Sequence, residues 1–269
     1  MKTEKTFIII CCCILLFAVG SSACSKKRIF IQKKYHCFLA LKKAYSEYID
    51  TCLEGKVFFK DKSYLVYDDG EKKNFIDKLN NSDIEDMFCI EYKTSIRVPS
   101  YLEDAGRIRS DCFFRKIYGN TREEVEKNLD TLNWFGSTIK VNRKNDVIYK
   151  LKKVREELKN DVELSKYLIG SAGSYYWRKI SGTDRLSMHS YGIAIDINVE
   201  HSSYWRWSNP NASELDTIEY ENRIPLKIVH IFERYGFIWG GRWYHFDTMH
   251  FEYRPELLLY HEISIPTAY

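Results

Sequence analysis

Four residues in the second half of the chain have the types and spacing for chemistry. His189 and Asp196 lie in "SMHSYGIAIDINVE"; Asp247 and His250 lie in "FDTMHFEY", with His245 and Glu252 close by. Ile193, Ile195, Ile197 and Val199 alternate with Ala194, Asp196 and Asn198, the pattern of a strand with one buried face. A carboxylate in such a strand is costly unless it is paired or binds a metal. Two imidazoles and one carboxylate leave a fourth coordination position open, which is the arrangement of a catalytic zinc site rather than a structural one. No cysteine falls in this half. Asp247, three residues before His250, is placed to take a proton from a water held by such a metal as it attacks a carbonyl, then to pass it to the leaving amine. Arg178 in "YYWRKISG" offers a cation for the oxyanion. Together these residues describe metal-assisted peptide hydrolysis. Taken singly, His189 or His250 is more often a satisfied core histidine than a ligand, and Asp196 reads also as half of an ion pair.

These residues need elements to position them. The alternation around Asp196 predicts one strand. "FIWGGRWYHFDTMHFEY" predicts two more around Gly240-Gly241, with His245 and Asp247 on one face of the first and His250 and Glu252 together on the second. "IPLKIVHIFERYGF" predicts a helix, with Pro225 near its first turn and Gly236 past its end. "HSSYWRWSNPNAS" reads as a polar, aromatic loop, with Trp205 and Trp207 available for stacking. The class is α+β, a small antiparallel sheet with helices, preceded by a mixed N-terminal extension. In that extension, residues 30–51 predict a helix, and "KVFFKDKSYLVYDDGEKKNF" predicts one or two short strands. Ser82 with Glu85, and Thr121 with Glu124, predict capping boxes, and Gly136 a helix stop. "VNRKNDVIYKLKKVREELKN" is an amphipathic helix.

The chain of 269 residues is 45% hydrophobic and 29% charged, ordinary values for a globular protein. Its net charge of +4 is small and scattered, so it carries no footprint for nucleic acid. The first residues differ: Lys2 and Lys5, then the apolar run "FIIICCCILLFAVG", then "SSAC". This predicts an export leader over residues 1–23, with Cys24 as a lipid-anchored first residue of a lipoprotein, the one expected membrane attachment. Ser21 departs from the leucine usual in such signals. In an oxidising compartment Cys37, Cys52, Cys89 and Cys112 would allow two disulfides; free buried thiols are the alternative.

"SMHSYGIAID" resembles the S-x-H-x-x-G-x-A-x-D motif of the D-alanyl-D-alanine carboxypeptidases and L-alanyl-D-glutamate endopeptidases, zinc peptidases that share a core with the Hedgehog signalling domain. "WGGRWYHFDTMHFEYRPEL" resembles their second motif. The resemblance covers roughly residues 140–260. It implies zinc on His189, Asp196 and His250, Asp247 as general base, Arg178 stabilising the transition state, and Ser187 lining the substrate site. The carboxypeptidase branch usually has Glu as base and Trp before the last His. Asp247 and Met249 lean toward the endopeptidase branch.

The resulting expectation has three parts: a leader over 1–23, an extension of unreadable role over 24–136, and a zinc peptidase domain over 137–269. It would act outside the cytoplasm, in the periplasm or cell envelope, on peptidoglycan stem peptides, as an L-Ala-D-Glu endopeptidase or a D-Ala-D-Ala carboxypeptidase. The rival from another class is a non-catalytic zinc-binding interaction module of the cell envelope. Retention of Asp247 and Arg178 argues for catalysis.

Overall fold

The computed structural model describes residues 22–95 and 98–264, and for residues 22–30 the backbone only. Residues 1–21 of the expected leader and the side chain of Cys24 lie outside the described residues. No described helix is long and apolar enough to cross a membrane. The chain divides into two units, residues 1–36 and 37–269.

The protein is α+β. Helix α1 (Ser22–Ala44) is followed by β1 (Ile49–Leu53), β2 (Lys56–Phe59) and β3 (Tyr64–Val66), an antiparallel sheet in that order. Helices α2 (Phe75–Asn80), α3 (Asp111–Tyr118) and α4 (Arg122–Glu126) lead to the hairpin β4 (Leu129–Trp134) and β5 (Ser137–Asn142). Then come α5 (Val147–Leu158), α6 (Val162–Leu168), β6 (Ser171–Gly173), β7 (Ala194–Asn198), α7 (Trp205–Ser208), α8 (Leu226–Arg234), β8 (Phe237–Trp239), β9 (His250–Tyr253) and α9 (Pro255–Ser264). The last four strands form one antiparallel sheet in the order β6-β7-β9-β8.

Several local expectations hold and others give way to pairing. The amphipathic stretch is α5, burying Val147, Ile148, Leu151, Val154 and Leu158. Thr121 caps α4 by accepting from Glu124 N at 3.3 Å, and Glu124 Oε2 accepts from Asn120 N at 2.7 Å. Gly136 is not a helix stop: with Phe135 it makes a two-residue turn, both at positive φ (92° and 44°), joining β4 to β5. The helix expected to reach residue 51 ends at Ala44, because Ile49–Leu53 pairs with β2 instead. Ser82 is no capping residue; its hydroxyl bonds back to Lys78 O, and Asp83 Oδ1 accepts from Asp86 N at 2.9 Å. No disulfide joins Cys37, Cys52, Cys89 and Cys112, which are spread over α1, β1, a turn and α3. Cys37 is buried and hydrogen-bonds Tyr67.

One hydrophobic core runs from Cys37 to Tyr260 and draws on both sides of residue 137, a position inside the β4–β5 hairpin. Its centre beneath the four-stranded sheet is Phe232 of α8, stacked on Phe251 of β9 at 3.9 Å and edge-on to Phe237 of β8 at 5.7 Å. Phe251 ties this packing to the site, since it stands between His250 and Glu252. Phe232→Ala should cost about 3–5 kcal/mol in urea unfolding, from lost burial plus an unfilled cavity. A loss under about 1 kcal/mol would show that α8 does not anchor this sheet.

Candidate metal centre

His189 sits on a 3-10 turn, Met188–Tyr191, capped by Ser187, whose Oγ accepts from His189 N at 3.3 Å. The β4–β5 hairpin grips this turn: Asn142 Nδ2 donates to Tyr191 O at 2.8 Å and Asn142 N to Gly192 O at 2.9 Å. Asp196 is the middle residue of β7, and its register partner on β9 is His250. Ile195 and Ile197 are fully buried on the opposite face. The strand therefore holds its carboxylate by packing everything around it.

The three side chains converge. His189 Nε2 lies 3.2 Å from His250 Nδ1 and 3.2 Å from Asp196 Oδ2, and His250 Nδ1 lies 3.0 Å from Asp196 Oδ1. Zinc–ligand bonds of about 2.0–2.1 Å imply tetrahedral edges of about 3.3–3.4 Å, close to this triangle. The far ring nitrogens fix the tautomers. His189 Nδ1 is 2.6 Å from Ser174 O, an atom that only accepts, so Nδ1 donates and Nε2 presents its lone pair to the triangle. His250 Nε2 is 3.1 Å from Glu252 Oε2, so Nδ1 likewise faces Asp196 and His189. Two lone pairs and a carboxylate pointing at one spot repel unless a cation lies between them. The donor set fits zinc, and its orientation by a carbonyl and a carboxylate is that of metal-ligating histidines.

The charges agree. Burial opposes ionisation of Asp196, but His189 and His250 outweigh it and hold the carboxyl well below its usual range. Burial also disfavours a charged His250, yet Asp196 and Glu252 raise it to about 10, so that a proton on His250 stands in for the cation a metal would supply between the carboxylates. Glu252 is 1% exposed and accepts from Arg254 Nη1 at 3.0 Å; Arg254 Nε in turn reaches Glu256 Oε1 at 2.5 Å, and Tyr45 donates to Glu256 Oε2 at 2.7 Å. His250 is thus braced through buried charges to the end of α1.

Asp247 does not lie on a strand, contrary to the alternation. Residues 243–249 form a loop, because Gly240 O accepts from both Trp243 N (3.2 Å) and Asp247 N (3.1 Å) and folds the chain over. A Cβ on Gly240 would sit 2.4 Å from Asp247 O, and one on Gly241 would sit 2.1 Å from the Trp239 ring. That explains why two glycines follow this tryptophan. Asp247 Oδ1 has no hydrogen-bond partner. Burial, then the negative charge of Asp196, push its carboxyl up to about 7, against the pull of His250 and His189. Two neighbouring carboxyls are thus driven apart, one firmly ionised and one poised to exchange a proton.

The three donors and Asp247 line one cavity of about 560 Å³, together with Ser187 and Arg178. Arg178 is exposed, and its guanidinium makes no ion pair among the described residues. His245 is not part of the triangle: its Nδ1 is 2.6 Å from Asp104 Oδ2. Trp205 is buried, edge-on to His245 at 4.6 Å and capped by the Arg206 guanidinium at 4.1 Å, whereas Trp207 is half exposed. The sequence reading missed Asp104, Arg107 and Arg109, which come from the first half yet meet this cavity or its lining. No spacing or periodicity in that half marks them.

Residues 181–253 match the family model of D-alanyl-D-alanine carboxypeptidases. The match spans about a quarter of the chain and contains Ser187, all three triangle residues and Asp247, while Arg178 precedes it. It makes this stretch similar to a peptidase family. No curated protein and no solved structure matches the chain.

His189→Ala and His250→Ala should each lose bound zinc on dialysis, read by elemental analysis; full occupancy in either refutes the triangle. Glu252→Gln should keep the fold but weaken zinc about 10–100-fold in competition with a chromophoric chelator.

Proposed function

We propose that the protein is a zinc-dependent peptidase that hydrolyses peptide bonds in bacterial peptidoglycan. One observation carries this reading: three metal-type donors converge at 3.0–3.2 Å in a cavity beside Asp247, whose Oδ1 has no hydrogen-bond partner, inside a stretch similar to a peptidase family. His189, Asp196 and His250 would hold the zinc. Zinc bound there supplies a Lewis acid that makes water more acidic and a carbonyl more electrophilic.

The remaining work falls to the chain. Asp247 Oδ1 takes the proton of the attacking water and returns it to the leaving amine, a role suited to a carboxyl raised to about 7. Arg178, at the cavity and without an ion pair among the described residues, supplies positive charge to the developing oxyanion. Ser187 holds the His189 turn and borders the same space. Gly240 fixes where Asp247 stands. Both an L-Ala-D-Glu and a D-Ala-D-Ala bond are open to this machinery, and Asp rather than Glu as the base favours the first. The polymer lies outside the cytoplasm, in keeping with export directed by the leader read at residues 1–23.

Purified peptidoglycan incubated with the zinc-loaded protein should yield new termini by mass spectrometry, either free D-Ala or a cut between L-Ala and D-Glu. Asp247→Asn should retain zinc and lose about 10²–10⁴ in rate. Loss of zinc from that variant would make Asp247 a ligand instead, and an intact polymer after digestion would leave a binding module.

A further inference from the structure

One wall of the cavity carries more positive charge than the chain neutralises. Of its arginines, Arg107 is satisfied by a bidentate pair with Glu214 (2.8 and 3.0 Å) and by Asp104 at 3.1 Å. Arg206 reaches Glu214 at 3.4 Å and Ala212 O at 3.1 Å. Arg109 and Arg185 differ. Arg109 is only 6% exposed, yet its hydrogen bond is to a backbone carbonyl, Nη2 to Leu186 O at 3.1 Å, and its Nε has no partner. Arg185 is half-buried, donates from Nη1 to Arg107 O at 3.3 Å, and its Nε is also buried without a partner. Neither makes an ion pair among the described residues.

Burying a guanidinium without a counter-charge is costly, and burying two side by side more so. Burial, then the neighbouring Arg109 and Arg107, depress Arg185 to about 9. Burial likewise lowers Arg109; Glu252 and Asp111 counter this from beyond ion-pair distance, and Arg254 adds to it. An anion placed between them would offset that cost beyond what Asp111, Glu214 and Glu252 supply, and both residues line the cavity that holds the metal donors.

We propose that Arg109 and Arg185 form an anion subsite that takes a carboxylate of the substrate peptide close to the bond being cut. The guanidinium fork matches a carboxylate in geometry and charge. Both groups hang on backbone carbonyls, so their heads are fixed before substrate arrives. The carboxylate has two sources in a stem peptide, the free C-terminus and an acidic side chain. The subsite rests on the peptidase reading for its substrate, but Arg109 lies outside the stretch that matches the family.

Binding separates the two ideas from each other. Zinc-loaded full-length protein carrying Asp247→Asn, which holds peptide uncleaved, is titrated calorimetrically with two peptides. One is a blocked peptide ending in D-Ala-D-Ala; the other contains L-Ala-D-Glu with its C-terminus amidated. Each is compared with the analogue whose remaining carboxylate is an amide. At least one acid should bind about tenfold or more tighter than its amide, and that pair names the source. Adding Arg185→Gln should close the gap to about twofold, and Arg185→Lys should keep part of it. No gap in either pair, or a gap that survives Arg185→Gln in a folded protein, overturns the subsite. Hydrolysis by the wild type is scored in parallel: cleavage without a gap sinks the subsite alone, and a gap without cleavage sinks the peptidase reading alone.

Discussion

The register that sets Asp196 of β7 opposite His250 of β9 is the constraint on which the rest depends. Side chains alternate along a strand, so a slip by one residue would turn Asp196 into the core and Ile195 or Ile197 toward the cavity. The apolar face forbids that slip. Ile195, Ile197 and Phe251 are fully buried, and Phe232 of α8 lies flat against Phe251. The hydrophobic effect thus locates two polar donors to within hydrogen-bond distance without any force between the donors themselves.

Those donors are then held by charges that the protein buries at a cost. Glu252, Arg254 and Glu256 form a continuous buried series ending on the Tyr45 hydroxyl, and Glu233, Arg242 and Tyr92 form a second beneath β8. Removing one member of such a series strands the next as an unpaired buried charge, so each series is rigid as a whole. Tyr45 and Tyr92 both precede residue 137. The first half of the chain therefore supplies partners to the framework behind the donors as well as Arg109 to the cavity.

Charges of both signs line the cavity around the donors. Asp196, Asp247 and Glu252 gather where a cation fits, and Arg109 and Arg185 gather where an anion fits. A peptide chain polarised at its carbonyl and carrying a carboxylate nearby matches both. Asp247 stands beside them with its Oδ1 unpartnered and its carboxyl pushed up by burial to about 7, a group suited to moving a proton near neutral pH.

Much of the donor set was legible from residue order. The alternation around Asp196 has a period of two, the strand period, and an acidic residue there demanded a partner. The helix after Pro225 was also legible, since an apolar face at helical spacing is a local property. The β4–β5 hairpin and β1 were not, because strand pairing overrode helix-like spacing at residues 45–51 and beside Gly136. The loop that carries Asp247 was not either: its shape comes from close backbone approach at Gly240, which alternation cannot register. The sequence by itself determined which atoms are available, His189, Asp196, His250 and Asp247, because residue types set their chemistry. Only the tertiary structure decided that Arg109 and Arg185 face the same cavity and that His245 belongs to Asp104. Those pairings join positions up to 141 residues apart, a separation at which chain order carries no information about contact.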